Sequence, residues 1–168
     1  LSVYELKKIL EKVKANKIKG GIYHTSQVTF AYNSNKIEGS KISKEDTKAI
    51  FDYEQSTSQS NKILISDDAI ETRNHFRLFD YIIDNINESL SKDMIIKMNV
   101  ILKKDTSDES NPKYNVGGFK TSPNIIGIIN VIKTSKPKDV EKDIDNLLDW
   151  YNNKDKISLE DIIKFQVI

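Results

Sequence analysis

The chain has 168 residues, with 26 Lys and Arg against 25 Asp and Glu, a formal net charge of +1. That near-balance, with Arg73 and Arg77 the only two arginines, excludes a general electrostatic grip on nucleic acid or anionic lipid. The absence of cysteine excludes disulfides, thiolate zinc sites and a cysteine nucleophile, and two histidines, His24 and His75, are too few for a His-rich metal site.

The predicted elements are mainly helical. Leu6, Ile9, Leu10 and Val13 recur at helical spacing and predict an amphipathic helix over 3–16, ended by Gly20-Gly21. A second helix is predicted over about 24–38, with Gly39 as a left-handed stop behind Glu38. Ser43 can cap a third helix to about Tyr53, and the polar 54–65 stretch reads as a loop. Long helices are expected over about 67–87, with Phe79, Ile82, Ile83 and Ile86 on one face, and over about 91–104. The 105–136 stretch is irregular. It holds an Asn111-Pro112 turn, Gly117-Gly118 and a β-branched run from Ile125 to Ile132, with Pro123-Asn124 positioned to turn a hairpin. Structureless stretches of this length in compact domains tend to be functional or disordered. Lys136-Pro137 is expected to start a helix carrying Val140, Ile144, Leu147, Leu148 and Tyr151 on one face. A last helix begins near Ser158, with Asp161 completing a capping box, and is still running at Ile168. The start without Met and the apolar end Phe165-Gln166-Val167-Ile168 predict a chain that continues. No apolar run reaches membrane-spanning length and no signal-peptide layout opens the chain, so a cytoplasmic protein is expected.

Two constellations carry chemistry. Ser34 and Glu38 stand four apart on one helical face, just before Gly39. In isolation this is an ordinary solvated helix end, except that a carboxylate at a helix C-terminus is disfavoured by the macrodipole and calls for a cationic partner or a place in a nucleotide pocket. Gly117-Gly118-Phe119-Lys120, followed by Asn124-Ile125-Ile126-Gly127, reads as a strand pair whose edge can take an extended peptide, or as a plain surface hairpin. No phosphate-binding glycine loop pattern occurs. His75 follows Glu71 by four residues, beside Arg73 and Asn74; without a nucleophile or metal partner it reads as a packing or hydrogen-bonding residue, as does His24. Tyr23, Phe30, Tyr32 and Trp150 read as packing residues.

In order along the chain, Phe30-Ala31-Tyr32-Asn33-Ser34-Asn35-Lys36-Ile37-Glu38-Gly39, Lys44-Glu45-Asp46-Thr47, Glu71-Thr72-Arg73-Asn74-His75, Asn115-Val116-Gly117-Gly118-Phe119-Lys120, Pro137-Lys138-Asp139-Val140-Glu141 and Leu147-Leu148-Asp149-Trp150-Tyr151 resemble the Fic family. The resemblance runs over about 22–168. It implies a mainly α Fic-like bundle with one short β-hairpin flap, C-terminally incomplete. The expected organisation is one domain over 1–168: an N-terminal helix to about 21, an inhibitory helix over about 22–39 and an incomplete Fic core from 40.

The activity implied is that of a protein adenylyltransferase using ATP and Mg2+. It moves AMP onto a Ser, Thr or Tyr hydroxyl of a target protein. Glu38 would be the inhibitory glutamate, with Ser34 its helix partner, and Ile126, Gly127, Ile128 and Ile129 would form the flap over nucleotide and target. The exposed faces of the first helices leave room for a homodimer; neither nucleic acid nor membrane is expected as a partner. The family's His-Pro-Phe and Asp/Glu-Gly-Asn-Gly-Arg segment is not in this sequence, although Asp161-Ile162-Ile163-Lys164-Phe165 resembles the helix leading into it. No catalytic residue and no metal ligand is therefore carried over. The competing expectation is a shortened, catalytically inactive module that binds a protein.

Overall fold

Four of the helices begin at serines, Ser43, Ser66, Ser91 and Ser158, whose hydroxyls accept from free backbone N–H groups. A computed structural model of the chain describes residues 3–16, 20–56, 66–126 and 132–167. In chain order the elements are α1 (Val3–Asn16), α2 (Ile22–Ile37), α3 (Lys44–Ser56), α4 (Asp67–Asp84), α5 (Lys92–Lys103), β1 (Ile125–Ile126), β2 (Ile132–Lys133), α6 (Val140–Asn152) and α7 (Leu159–Val167). Ser43 Oγ accepts from the Asp46 N–H at 3.0 Å to start α3, and Ser66 Oγ accepts from the Ala69 N–H at 3.3 Å to start α4. Ser158 and Asp161 close a reciprocal capping box at α7, with N–H donations of 3.1 and 3.0 Å in the two directions. The hydrogen bond from Lys154 and those from Ser158 hold the Asp161 carboxyl well below the usual carboxylate range.

Two of the expected helix bounds move. The fourth helix ends at Asp84 rather than 87, because Asn85 turns its side-chain N–H back to the Tyr81 carbonyl at 2.8 Å. The sixth starts at Val140 rather than at Lys136-Pro137. The Lys136 carbonyl takes the Asp139 N–H at 2.8 Å in a tight turn and the Val140 N–H at 3.2 Å, so the turn leads directly into the helical ladder.

The chain forms two compact units. The first comprises 1–87 and 101–107. Here α2 packs against α1, α3 and α4, so it is enclosed on several sides and has no single apolar stripe. Its core joins Tyr23, Val28, Ala31, Phe51 and Phe76, with Val13, Ile50 and Phe79 against them. Phe51 and Phe76 meet edge to face at 4.9 Å between centroids, a favoured aromatic geometry.

The enclosure of α2 also buries polar groups, which are tied to neighbouring helices. The Gln27 amide donates to the Tyr23 hydroxyl and to Asp80 Oδ1, both at 3.0 Å, and the Tyr23 hydroxyl donates to Asp80. Burial, and then the Asp80 carboxylate, push the Tyr23 hydroxyl far up; burial also pushes Asp80 up. Lys14 reaches from α1 to Asp84 at 2.6 Å and to Asp80 at 3.7 Å. His24 Nε2 lies 2.8 Å from Asp52 Oδ1, tying α2 to α3 as a structural rather than a chemical residue.

The second unit comprises 88–100 and 108–168. Lys92 bridges Glu141 at 3.1 Å and Asp145 at 3.0 Å, which fixes α5 beside α6. Tyr151 and Phe165 join α6 to α7 at 5.2 Å, while Lys154 and Lys164 sit over the Trp150 ring. Leu159, Ile162 and Ile163 of α7 are exposed. Of the expected β-branched run, Ile125–Ile126 and Ile132–Lys133 form an antiparallel ladder in the register Ile125 to Lys133 and Ile126 to Ile132. Gly127, Ile128 and Ile129 lie outside the described residues. Among the described residues no helix is long and apolar enough to cross a membrane.

Candidate functional site

The C-terminus of α2 is built by its last residues and the turn behind them. Gly39 takes φ +89°, its N–H reaches the Lys36 carbonyl at 3.2 Å, and the Ser40 N–H reaches the Asn35 carbonyl at 2.9 Å. This is a Schellman stop, and it needs a residue free of Cβ crowding at position 39. It leaves Glu38 as the exposed C-cap. The Ser40 hydroxyl then donates to Asp68 Oδ2 at 2.8 Å, and the Lys41 N–H donates to the same oxygen at 3.2 Å, so the chain leaves α2 anchored to the start of α4.

Below that end, two buried asparagines set the helix spacing. Asn35 donates to Thr72 Oγ1 at 2.7 Å, and the Thr72 hydroxyl donates to the Asp68 carbonyl at 2.7 Å. Asn74, with no exposed surface, donates to the Leu102 carbonyl at 2.9 Å and the Lys104 carbonyl at 2.7 Å. The Leu102 carbonyl lies in the last turn of α5, where the helical ladder runs out of N–H partners, and Lys104 follows just past its end. Asp105, at φ +64°, turns the chain out of α5, and Arg73 reaches its carboxylate at 3.3 Å.

These ties bring Ser34, Ile37, Glu38, Glu71, His75, Leu102 and Lys103 around one groove of about 300 Å³. Lys103 pairs with Glu71 at 2.6 Å. Glu38 has no ion pair among the described residues. His75 is 5% exposed, meets Phe30 edge to face at 5.7 Å, and its Nδ1 has no hydrogen-bond partner among the described residues. Burial, reinforced by Lys103, lowers its pKa from 6.5 to about 4. The imidazole is therefore neutral at pH 7 and too weak a base for efficient general-base catalysis there. The groove offers carboxylate, hydroxyl and neutral imidazole acceptors beside apolar Ile37, which is 85% exposed, and Leu102. That set suits a cationic or hydrogen-bond-donating group.

The structure thus brings the expected pair, Ser34 and Glu38, together with His75, expected as a packing residue. It does pack, and it also lines the groove. Lys103 and Leu102 join the groove without any sequence motif to announce them. Their one signal is a basic residue in the last turn of a helix, which many helices share. Of the expected flap, Ile126 sits in β1, in the second unit. Among the described residues no group of three or more His, Asp or Glu side chains could hold a metal ion.

The fold is a mainly α, Fic-like helical fold. It matches the crystal structure of a Fic-domain-containing signalling protein from Bacteroides thetaiotaomicron VPI-5482 with a TM-score of 0.60, at 24% identity over 89% of this chain and 54% of that one. The chain therefore spans about half the length of the solved structure it matches. No protein-family model and no curated protein matches the sequence.

Proposed function

We propose that the chain is part of a Fic-type protein adenylyltransferase, cytoplasmic, in which Glu38 holds the enzyme in an auto-inhibited state. The observation that carries this reading is the exposed Glu38 carboxylate, without an ion pair among the described residues, held by a Schellman stop at the rim of the groove in a Fic-like fold. Its position suits a group that reaches into a neighbouring site and pairs with a cation there. In-line attack at the α-phosphorus tolerates little misplacement of the phosphates, so one such contact is enough to switch off transfer.

The residues around this groove do not themselves fit ATP and Mg2+. They supply two carboxylates, and the one lysine among them is already held by Glu71. Nucleotide and metal binding belong, in this reading, to the His-Pro-Phe and Asp/Glu-Gly-Asn-Gly-Arg segment that the resemblance requires. The groove residues contribute position and charge rather than a bond-making step. The target is a protein hydroxyl, and the β1–β2 hairpin is the element that receives its backbone.

The test uses the full-length protein with ATP labelled at the α-phosphate. Glu38→Gly is expected to raise AMP transfer to protein, by up to about a hundredfold if phosphate misplacement is the block. No gain in an ATP-binding protein would sink the auto-inhibitory role. No transfer by wild type or variant, with protein capture retained, would favour the inactive binding module.

A further inference from the structure

We infer that Lys120 is a positioning residue: its ammonium clips the two ends of the β1–β2 hairpin together and sets where the ladder points. Lys120 Nζ donates to Asn124 Oδ1 at 2.5 Å, just before β1, and to Thr134 Oγ1 at 2.7 Å, just after β2. Thr134 Oγ1 lies 2.9 Å from the Asn124 carbonyl and 2.6 Å from its side-chain oxygen, so one hydroxyl and one ammonium close the base of the hairpin. Among the described residues no carboxylate pairs with Lys120, and both of its partners are neutral oxygens.

The ladder needs such a clip. An isolated two-stranded hairpin is marginal in water, so contacts at its base add to what holds the strands in register. The turn before Lys120 is built to deliver it. Asn115, at φ +47°, donates from its side chain to the Phe119 carbonyl at 2.6 Å, and its own carbonyl takes the Gly118 N–H at 2.9 Å. Gly117 takes φ +88°, and a Cβ there would meet Val100 Cγ2 at 3.3 Å. At Gly118 a Cβ would come within 2.6 Å of the Asn115 amide nitrogen. Gly117 is thus needed for the left-handed step of the turn, and a side chain at 118 would push the Asn115 amide off the Phe119 carbonyl. The consequence for target docking rests on the adenylyltransferase reading; the clip itself does not.

The test is amide hydrogen exchange on the full-length protein without ATP or target, so its outcome is independent of any transfer activity. Lys120→Met, which removes both ammonium bonds, and Thr134→Val, which removes one of them and the hydroxyl's bond to Asn124, are each expected to speed exchange at Ile125–Ile126 and Ile132–Lys133 by at least about tenfold, while α6 amides keep their rates. The double variant should exchange faster than either single one but by less than the product of their effects, because the two share the Lys120–Thr134 contact while each also loses its own bond to Asn124. Lys120→Arg, which keeps the charge but replaces the compact ammonium by a planar fork, should fall between wild type and Lys120→Met. Wild-type exchange in either single variant, multiplying effects in the double variant, or equal acceleration of α6 would each overturn the assignment.

Discussion

Acidification should weaken the first unit through His75, by an amount the structure sets. The unfolded histidine titrates near 6.5 and the folded one near 4. Below 6.5 the unfolded state takes up a proton that the folded state refuses, so stability is fully present at pH 7 and falls as pH drops from about 6.5 to about 4. The whole shift corresponds to roughly 3 kcal/mol. The charged groups around the ring reinforce or oppose this. Lys103 repels the imidazolium, and Glu71 and Glu38 are the carboxylates that line the same groove.

Urea titrations at pH 7 and at pH 4.5, read by exchange of α2 and α4 amides, would measure the effect. The fluorescence of Trp150 reports the second unit instead. His75→Gln removes the titration. Its absolute stability will change with the lost Phe30 contact, so the quantity to compare is the pH slope. Asp80, whose pKa is raised, loses stability in the opposite sense as pH rises, and it contributes equally to both proteins. The wild type should lose about 2 kcal/mol more than the variant across this interval. Equal slopes would refute the claim that a neutral, desolvated imidazole supports the groove.

Two further predictions test the local construction. Asn74→Ala should destabilise the first unit by about 2–4 kcal/mol, because it leaves the Leu102 and Lys104 carbonyls without these donors; a loss under about 0.5 kcal/mol by denaturant midpoint would contradict this. Gly39→Ala and Gly117→Ala both force a side chain into left-handed backbone at about 1–2 kcal/mol, but of the two only position 117 also meets a neighbour. Thermal melts should therefore rank Gly117→Ala as the more damaging, and the reverse order would show that the Val100 contact relaxes freely.

The helices and their starts were legible in the sequence because their causes are local. Apolar spacing within four residues sets a helix face, and Ser43 and Ser158 cap helices through N–H groups three residues on. The Gly39 stop, and with it the exposure of Glu38, was equally local. The departures were local too: the Asn85 side chain ends α4 early by turning back to the Tyr81 carbonyl, and a tight turn at the Lys136 carbonyl precedes α6.

What only the tertiary structure decided is which residues meet across long stretches of chain. Lys103 joins Glu71 and His75 because Asn74 ties the end of α5 to α4, through contacts between positions 28 and 30 apart. The polar interior of α2 becomes ordered only because three helices surround it. Lys120 is one of many surface-like lysines until a glycine turn carries it to both ends of a hairpin. Spacing along the chain fixes faces and caps. Which polar group finds which partner depends on packing, because a buried donor or acceptor is satisfied by whatever the fold places beside it.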